Sequence, residues 1–263
     1  MASGPTDFPP TAPSGVFDLT GSTALVTGAS SGLGHRMALV LAHAGATVAV
    51  TARRTDRLDA LAAEHPSIRP FTADLADAAQ RERLVAEVES ALGPLHVLVN
   101  NAGVANPKPI EQETLEDFEA MIEINLTSAW HLTKLFGEAM VAAGRGSVVN
   151  IASMLGVVGA TPSKQTGYPA AKAGLINLTR ELGLQWARKG VRVNAICPGW
   201  FATEMTDDLL STDAGMRFIA DNTPLQRAGL VHEIDGPLLL LASDASSFMT
   251  GSILLVDGGW TAR

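Results

Sequence analysis

The sequence predicts a single doubly wound α/β domain, a seven-stranded parallel sheet with helices on both faces. Short β-branched apolar runs alternate with longer stretches of helical period, which is the pattern of strands crossing over through helices. The first such run passes directly into a glycine-rich turn and then a helix. From residue 16 to 263 the alternation meets no linker and no internal repeat, so one domain suffices for a chain of this length.

The strands are expected at 23–27, 47–52, 68–72, 97–100, 147–151, 192–197 and 253–256. Each is short enough for a buried parallel strand, and helices of period 3.6 are expected between them. They fall at 32–44, 55–64, 77–92, 114–143, 167–189 and 231–242. Thr114 with Asp117 three residues on is a capping-box start for the longest of these. Pro237 should sit in the first turn of the last helix or kink it. Residues 1–15, rich in Pro, Ser, Thr and Gly, read as a loose arm with little apolar surface to bury.

Composition narrows the function. A net charge of −8 with no basic run argues against a nucleic-acid partner. A lone cysteine, Cys197, excludes an internal disulfide and fits a reducing cytoplasm. The histidines at 35, 43, 65, 96, 131 and 232 are scattered, so no metal site is expected. The first Lys or Arg is Arg36, so no secretory leader is expected. No apolar run approaches the ~18–20 residues that span a bilayer, so no membrane partner is expected either.

The turn after the first strand reads Thr27-Gly28-Ala29-Ser30-Ser31-Gly32-Leu33-Gly34. Glycines there allow a tight turn and let backbone N–H groups at a helix start approach a pyrophosphate. The same glycines could serve close packing alone. At the end of the second strand, Ala52 stands where an acid would bind an adenosine ribose 2′-hydroxyl, and Arg53 and Arg54 follow. An arginine suits a 2′-phosphate. Arg53, ahead of Arg54, therefore favours NADP(H), with NAD(H) still possible; a merely solvated pair is the plain alternative.

Several further motifs stand in order at element ends: Asp74-Leu75, Asn100-Asn101-Ala102-Gly103, Asn125, Ser153, Tyr168-x-x-x-Lys172, and Pro198-Gly199 with Thr203 beyond. Together with the turn, the chain resembles the classical short-chain dehydrogenases/reductases over about residues 17–260. The resemblance implies a Rossmann-like fold and hydride transfer between a nicotinamide and a carbonyl/alcohol pair. It implies a cofactor held by Gly28, Ser30, Ser31, Gly32, Leu33, Gly34, Arg53, Asp74, Leu75, Asn101, Ala102, Gly103, Pro198, Gly199 and Thr203, with Tyr168 and Lys172 also touching it. Asp74 would bond the adenine amino group, although it could equally be the N-cap of the helix that follows. Thr203 and the backbone near Ile196 would hold the carboxamide.

For the chemistry, the resemblance implies Asn125, Ser153, Tyr168 and Lys172. Tyr168 and Lys172 are four apart, hence on one helix face. A nearby ammonium favours phenolate and should lower the phenol toward the range of efficient proton exchange. Tyr168 is the only tyrosine, which weakens a merely structural reading. Ser153 would donate to the carbonyl oxygen as charge develops there. Asn125, a poor helix former in mid-helix, would distort the helix and hold a water of a proton relay. Ser153 and Tyr168 lie 15 apart, slightly farther than in the family, so the loop 156–167 should bulge into the substrate pocket.

Residues 200–229, with Trp200, Phe201, Met205, Leu209, Leu210, Met216 and Phe218, read as an apolar lid over the substrate, or as a helix packed on the core or a neighbouring subunit. The pattern is similar both to 3-oxoacyl-carrier-protein reductases and to gluconate or polyol dehydrogenases. An NAD-dependent alcohol or polyol dehydrogenase is the enzymatic alternative, and a redox sensor that binds nicotinamide without turnover is the non-enzymatic one. The partners expected are a small carbonyl or alcohol substrate and other copies of the chain in a homotetramer.

Overall fold

A computed structural model of the protein describes residues 13–160 and 163–262. Among the described residues, seven strands form one parallel sheet in the order β3-β2-β1-β4-β5-β6-β7. They are β1 (Thr23–Thr27), β2 (Thr47–Ala52), β3 (Ile68–Thr72), β4 (Val97–Asn100), β5 (Gly146–Ile151), β6 (Val191–Pro198) and β7 (Ile253–Val256). The order reverses between β1 and β4, which opens a crevice at their carboxyl ends, the place where such sheets bind ligands.

The central strands are apolar on both faces because both are covered. Along β1, Ala24 and Val26 join one core with α1 (Gly32–His43), α2 (Thr55–Glu64) and α9 (Asp235–Ala242). Leu25 points the other way, into a core with α3 (Ala78–Leu92) and α5 (Ser128–Ala143), where Phe136 is fully buried. Each large side chain so buried contributes about 1.5–3 kcal/mol. The edge strand β3 is instead largely exposed, and its Arg69 and Pro70 are residues that blunt an open edge.

Element ends differ from expectation in instructive ways. The long helix starts on the Thr114–Asp117 capping box, but it is interrupted. α4 (Leu115–Ile122) passes through a π-helical turn, Glu123–Thr127, before α5 begins. The cap of α3 is Asp77, which accepts from the N–H groups of Ala79 and Gln80, so Asp74 is not the N-cap. α6 (Gly167–Trp186) ends in a 3₁₀ turn, Ala187–Lys189. Pro237 occupies the first turn of α9, where its missing N–H costs nothing. Of the arm expected over 1–15, residues 1–12 lie outside the described residues, and a 3₁₀ turn already runs over Pro13–Phe17. None of the described helices is long and apolar enough to cross a membrane.

Candidate active site

One cleft of about 680 Å³ runs along the carboxyl ends of the strands. Gly28, Ser30, Ser31, Gly32, Leu33 and Gly34 line it at the mouth of α1. Ser31 is the N-cap of α1, yet its side chain caps no backbone N–H, which leaves the helix start to an incoming acceptor. Gly32 has φ +56°, and a Cβ there would meet the Thr203 side chain at 3.2 Å, so glycine keeps the passage open. Thr27 and Asn101 brace this turn from below. The Thr27 hydroxyl accepts from Asn101 N and Ala102 N, both at 2.9 Å, and Asn101 Nδ2 donates to the carbonyls of Thr27 and Gly28. Asn101, Ala102 and Gly103 thus line the cleft while tying β4 to β1.

At the inner end, Ser153, Tyr168 and Lys172 meet on the cleft wall. Ser153 follows β5, and its Oγ accepts from Leu155 N at 3.1 Å, opening a 3₁₀ turn, Met154–Gly156. Tyr168 is the second residue of α6, with Pro169 in the same first turn. Lys172 lies one turn on, 3% exposed, its Nζ donating to Ile151 O at 2.9 Å and standing 5.6 Å from the centre of the Tyr168 ring.

The electrostatics reverse one expectation. Burial pushes the Tyr168 phenol above its ordinary value, with the neighbouring Ser153 hydroxyl pulling in the opposite direction. Burial also brings the Lys172 ammonium down to about 8. Desolvation therefore outweighs the ammonium, which lies against the aromatic ring and is engaged by a carbonyl. Cys197, buried beside them, is pushed up to about 11 by the same burial and stays a neutral thiol.

Asn125 does not line the cleft but supports it from behind. It sits 1% exposed in the π turn, where its Nδ2 donates to Met121 O at 3.0 Å and Val104 O at 2.9 Å. Its Oδ1 accepts from Val104 N at 3.3 Å. A Cβ on Gly103 would lie 2.7 Å from Asn125 Oδ1 and 3.4 Å from Lys172 Nζ, so both polar groups converge behind that glycine.

At the outer end, Arg53, Asp74 and Leu75 line the cleft, and Asp74 Oδ1 accepts from Ala76 N at 3.0 Å. Arg53 is exposed and, among the described residues, has no carboxylate partner. Arg54 is engaged: its Nη2 donates to Ser30 Oγ and Ser31 Oγ, both at 2.9 Å, and to Glu204 Oε2 at 3.2 Å. Arg57 binds the other oxygen of Glu204. Arg57, Ser31 and Arg54 together hold the Glu204 carboxyl down to about 2.

Pro198, Gly199 and Thr203 form the facing wall. The carbonyl of Ile196 is taken by Ala152 N at 2.8 Å as the sheet continues, so that wall begins two residues later than expected. The lid segment contains α7 (Asp207–Leu210) and α8 (Asp213–Asn222). Trp200, Met205 and Leu209 line the cleft, whereas Leu210 and Met216 do not. Phe201 also lines it but is packed into the core, and Phe218 and Trp200 meet Trp260 edge-to-face at 5.7 and 6.1 Å. Part of the segment is therefore packing. Ser163 and Gln165 bring the loop after Ser153 to the cleft, as expected.

Three features escaped sequence reasoning. Glu204 and Arg57 join the outer end from positions 147 apart, which no local pattern reveals. Buried Arg81 holds Leu75 O, Glu123 and His131, although it stands among charged residues that read as a solvated face. Gln165 is foreshadowed only by its place in the long loop. Among the described residues no group of three or more His, Cys, Asp or Glu could hold a metal ion.

Residues 28–261 match the family model described as Enoyl-(Acyl carrier protein) reductase. The chain is 36% identical over 253 residues to gluconate 5-dehydrogenase of Gluconobacter oxydans, covering 94% of this chain and 97% of that one. It is 35% identical to the 3-oxoacyl-[acyl-carrier-protein] reductase FabG of Thermotoga maritima, over 92% of this chain and 98% of the other. The fold superposes with a TM-score of 0.90 on a gluconate 5-dehydrogenase from Burkholderia cenocepacia solved in complex with NADP and tartrate, at 32% identity, with 95% and 99% of the two chains covered. The fold, the cleft and these likenesses place the chain in the short-chain dehydrogenase/reductase family, as an NAD(P)-dependent oxidoreductase.

Proposed function

We propose that the protein is an NADP(H)-dependent oxidoreductase that interconverts a ketone and a secondary alcohol, with Tyr168 as proton donor and acceptor. The observation that carries this reading is the joint placement, in one cleft, of Ser153, Tyr168 and Lys172 at one end and, at the other, Arg53, which has no carboxylate partner among the described residues. The residues fit a dinucleotide: the uncapped start of α1 suits its pyrophosphate, and Arg53 suits a 2′-phosphate. When bound, the nicotinamide supplies the hydride.

The chain's own residues supply position and the proton. The hydroxyls of Ser153 and Tyr168 hydrogen-bond the carbonyl oxygen, which gathers negative charge as reduction proceeds. Tyr168 Oη, kept protonated by its burial, gives up its proton to that oxygen. The Lys172 ammonium then stabilises the phenolate left behind, and Asn125, whose Oδ1 converges with Lys172 Nζ behind Gly103, would hold the water of a proton relay. Gly199 and Thr203 fix the facing wall of the cleft, while Asp74 and Leu75 bound its adenosine end.

Initial rates with NADPH and NADH against ketones, 3-oxoacyl thioesters and keto-sugars, with Tyr168→Phe as the blank, test the reading. Consumption of NADPH by the wild type alone is expected. Turnover only with NADH would keep the chemistry and discard the phosphate assignment. Binding of both cofactors without turnover would favour the sensor.

Assembly belongs to the same reading. Trp130 on α5, Leu184 on α6 and Leu255 on β7 expose large apolar surface, which supports a homotetramer closed over these elements. Light scattering at micromolar concentration is expected to give a tetrameric mass, and a monomeric one would remove this part.

A further inference from the structure

Glu204 stands at the start of the lid, yet its carboxylate crosses the cleft to the cofactor turn. It binds Arg54 at 3.2 Å and Arg57 besides, while Arg54 reaches Ser30 and Ser31 at 2.9 Å. All of these except Arg57 line the cleft beside Arg53. Two guanidinium groups and the Ser31 hydroxyl thus hold one internal anion, with Ser30 bonded to Arg54, the kind of donor set that a phosphate monoester would also take. Glu204 itself opens a hydrogen-bonded turn, Glu204–Thr206. Thr203 N donates to Thr206 Oγ1 at 3.1 Å, and Thr206 Oγ1 donates to Phe201 O at 2.5 Å. α7 begins at the next residue and carries Leu209 to the cleft.

We propose that Glu204 is a cofactor-selecting latch: its carboxylate occupies Arg54 in place of a 2′-phosphate, and a cofactor bearing that phosphate displaces it and frees the start of the lid. This rests on the reading of the outer end as the adenosine-phosphate site. A cofactor with a free 2′-hydroxyl has no dianion to compete for Arg54 and leaves the latch closed. Glu204 therefore lowers the affinity for the phosphorylated cofactor while coupling its arrival to the lid. Because the pair is exposed, the effect is moderate and falls with salt.

The test uses the two adenosine halves as probes, 2′,5′-ADP and ADP, titrated calorimetrically into the full chain, with hydrogen exchange followed over residues 203–210. Glu204→Gln is expected to tighten 2′,5′-ADP about five-fold at low salt and to leave ADP within about two-fold. In the wild type, 2′,5′-ADP should speed exchange over 203–210 and ADP should not, whereas Glu204→Gln should exchange fast with neither bound. Equal or weaker binding of 2′,5′-ADP by Glu204→Gln overturns the latch, provided Arg53→Ala or Arg54→Ala weakens 2′,5′-ADP selectively. If neither arginine variant distinguishes the probes, the phosphate site itself is lost, and the latch with it.

Discussion

At the inner end of the cleft, Lys172 is 3% and Ser153 7% exposed, whereas at the outer end the side chains of Arg54 and Glu204 are 42% and 52% exposed. The inner groups are shifted by desolvation: Tyr168 upward, Lys172 down to about 8, Cys197 up to about 11. The outer groups contact one another directly at the solvent-exposed surface, and Glu204 is held ionised by hydrogen bonds from Arg57, Ser31 and Arg54. Dry groups set the chemistry by which proton they hold. Wet groups set selection by charge, and their influence is screened within about 10 Å at 0.1 M salt.

Experiments that separate the two ends follow from this contrast. The largest effect belongs to Tyr168→Phe, which removes the proposed proton donor and should lower kcat about 10³-fold while leaving NADPH binding nearly unchanged. A variant that kept its rate would take the proton from elsewhere. Next comes Arg53→Ala, expected to raise KM for NADPH roughly ten- to a hundred-fold and leave NADH within about two-fold, as for loss of a charge-assisted hydrogen bond. That loss should shrink in high salt, whereas the Tyr168 effect should not.

The smallest effect is in the pH profile. A lowered lysine pKa means that Lys172 is charged below about 8 and neutral above it. Reduction should therefore hold level at neutral pH and decline above about 8, as the ammonium that stabilises the phenolate is lost. Alcohol oxidation needs the phenolate at the outset, so with the phenol pKa raised its rate should climb with pH across the neutral range. Lys172→Met should abolish the decline near 8; a decline that persists would assign it to another group.

The strands were legible because burial on both faces leaves unmistakable short apolar runs, as at Val97–Asn100, whereas their order in the sheet came only with the structure. The site was legible where a residue type is unusual for its place: a glycine-rich turn, an asparagine in mid-helix, a single tyrosine four residues before a lysine. What was not legible depends on tertiary proximity. The sign of the Tyr168 shift turns on how dry the site is, which spacing does not encode. Asp74 and Asp77 are equally good caps on paper, and only the geometry of the first turn of α3 chooses Asp77. The engagement of Arg54 by Glu204 joins residues 150 apart.

The π turn at Glu123–Thr127 also has a rotational consequence. A π turn accommodates one residue more than a regular helical turn, and each residue of an α-helix advances about 100° around its axis. α5 therefore continues α4 out of phase by about that angle, so the two halves face different neighbours. α4 can turn Ala120 to the cleft and offer the Met121 carbonyl to Asn125 while α5 turns Leu132, Phe136 and Met140 to the sheet. Closing this turn to regular α geometry with every residue kept would rotate the Phe136 stripe off its strands by about 100°. Deleting one residue between 123 and 127 would instead straighten the helix and leave that stripe in place, so the extra residue of the polar turn is accommodated without cost to the angular register of the core.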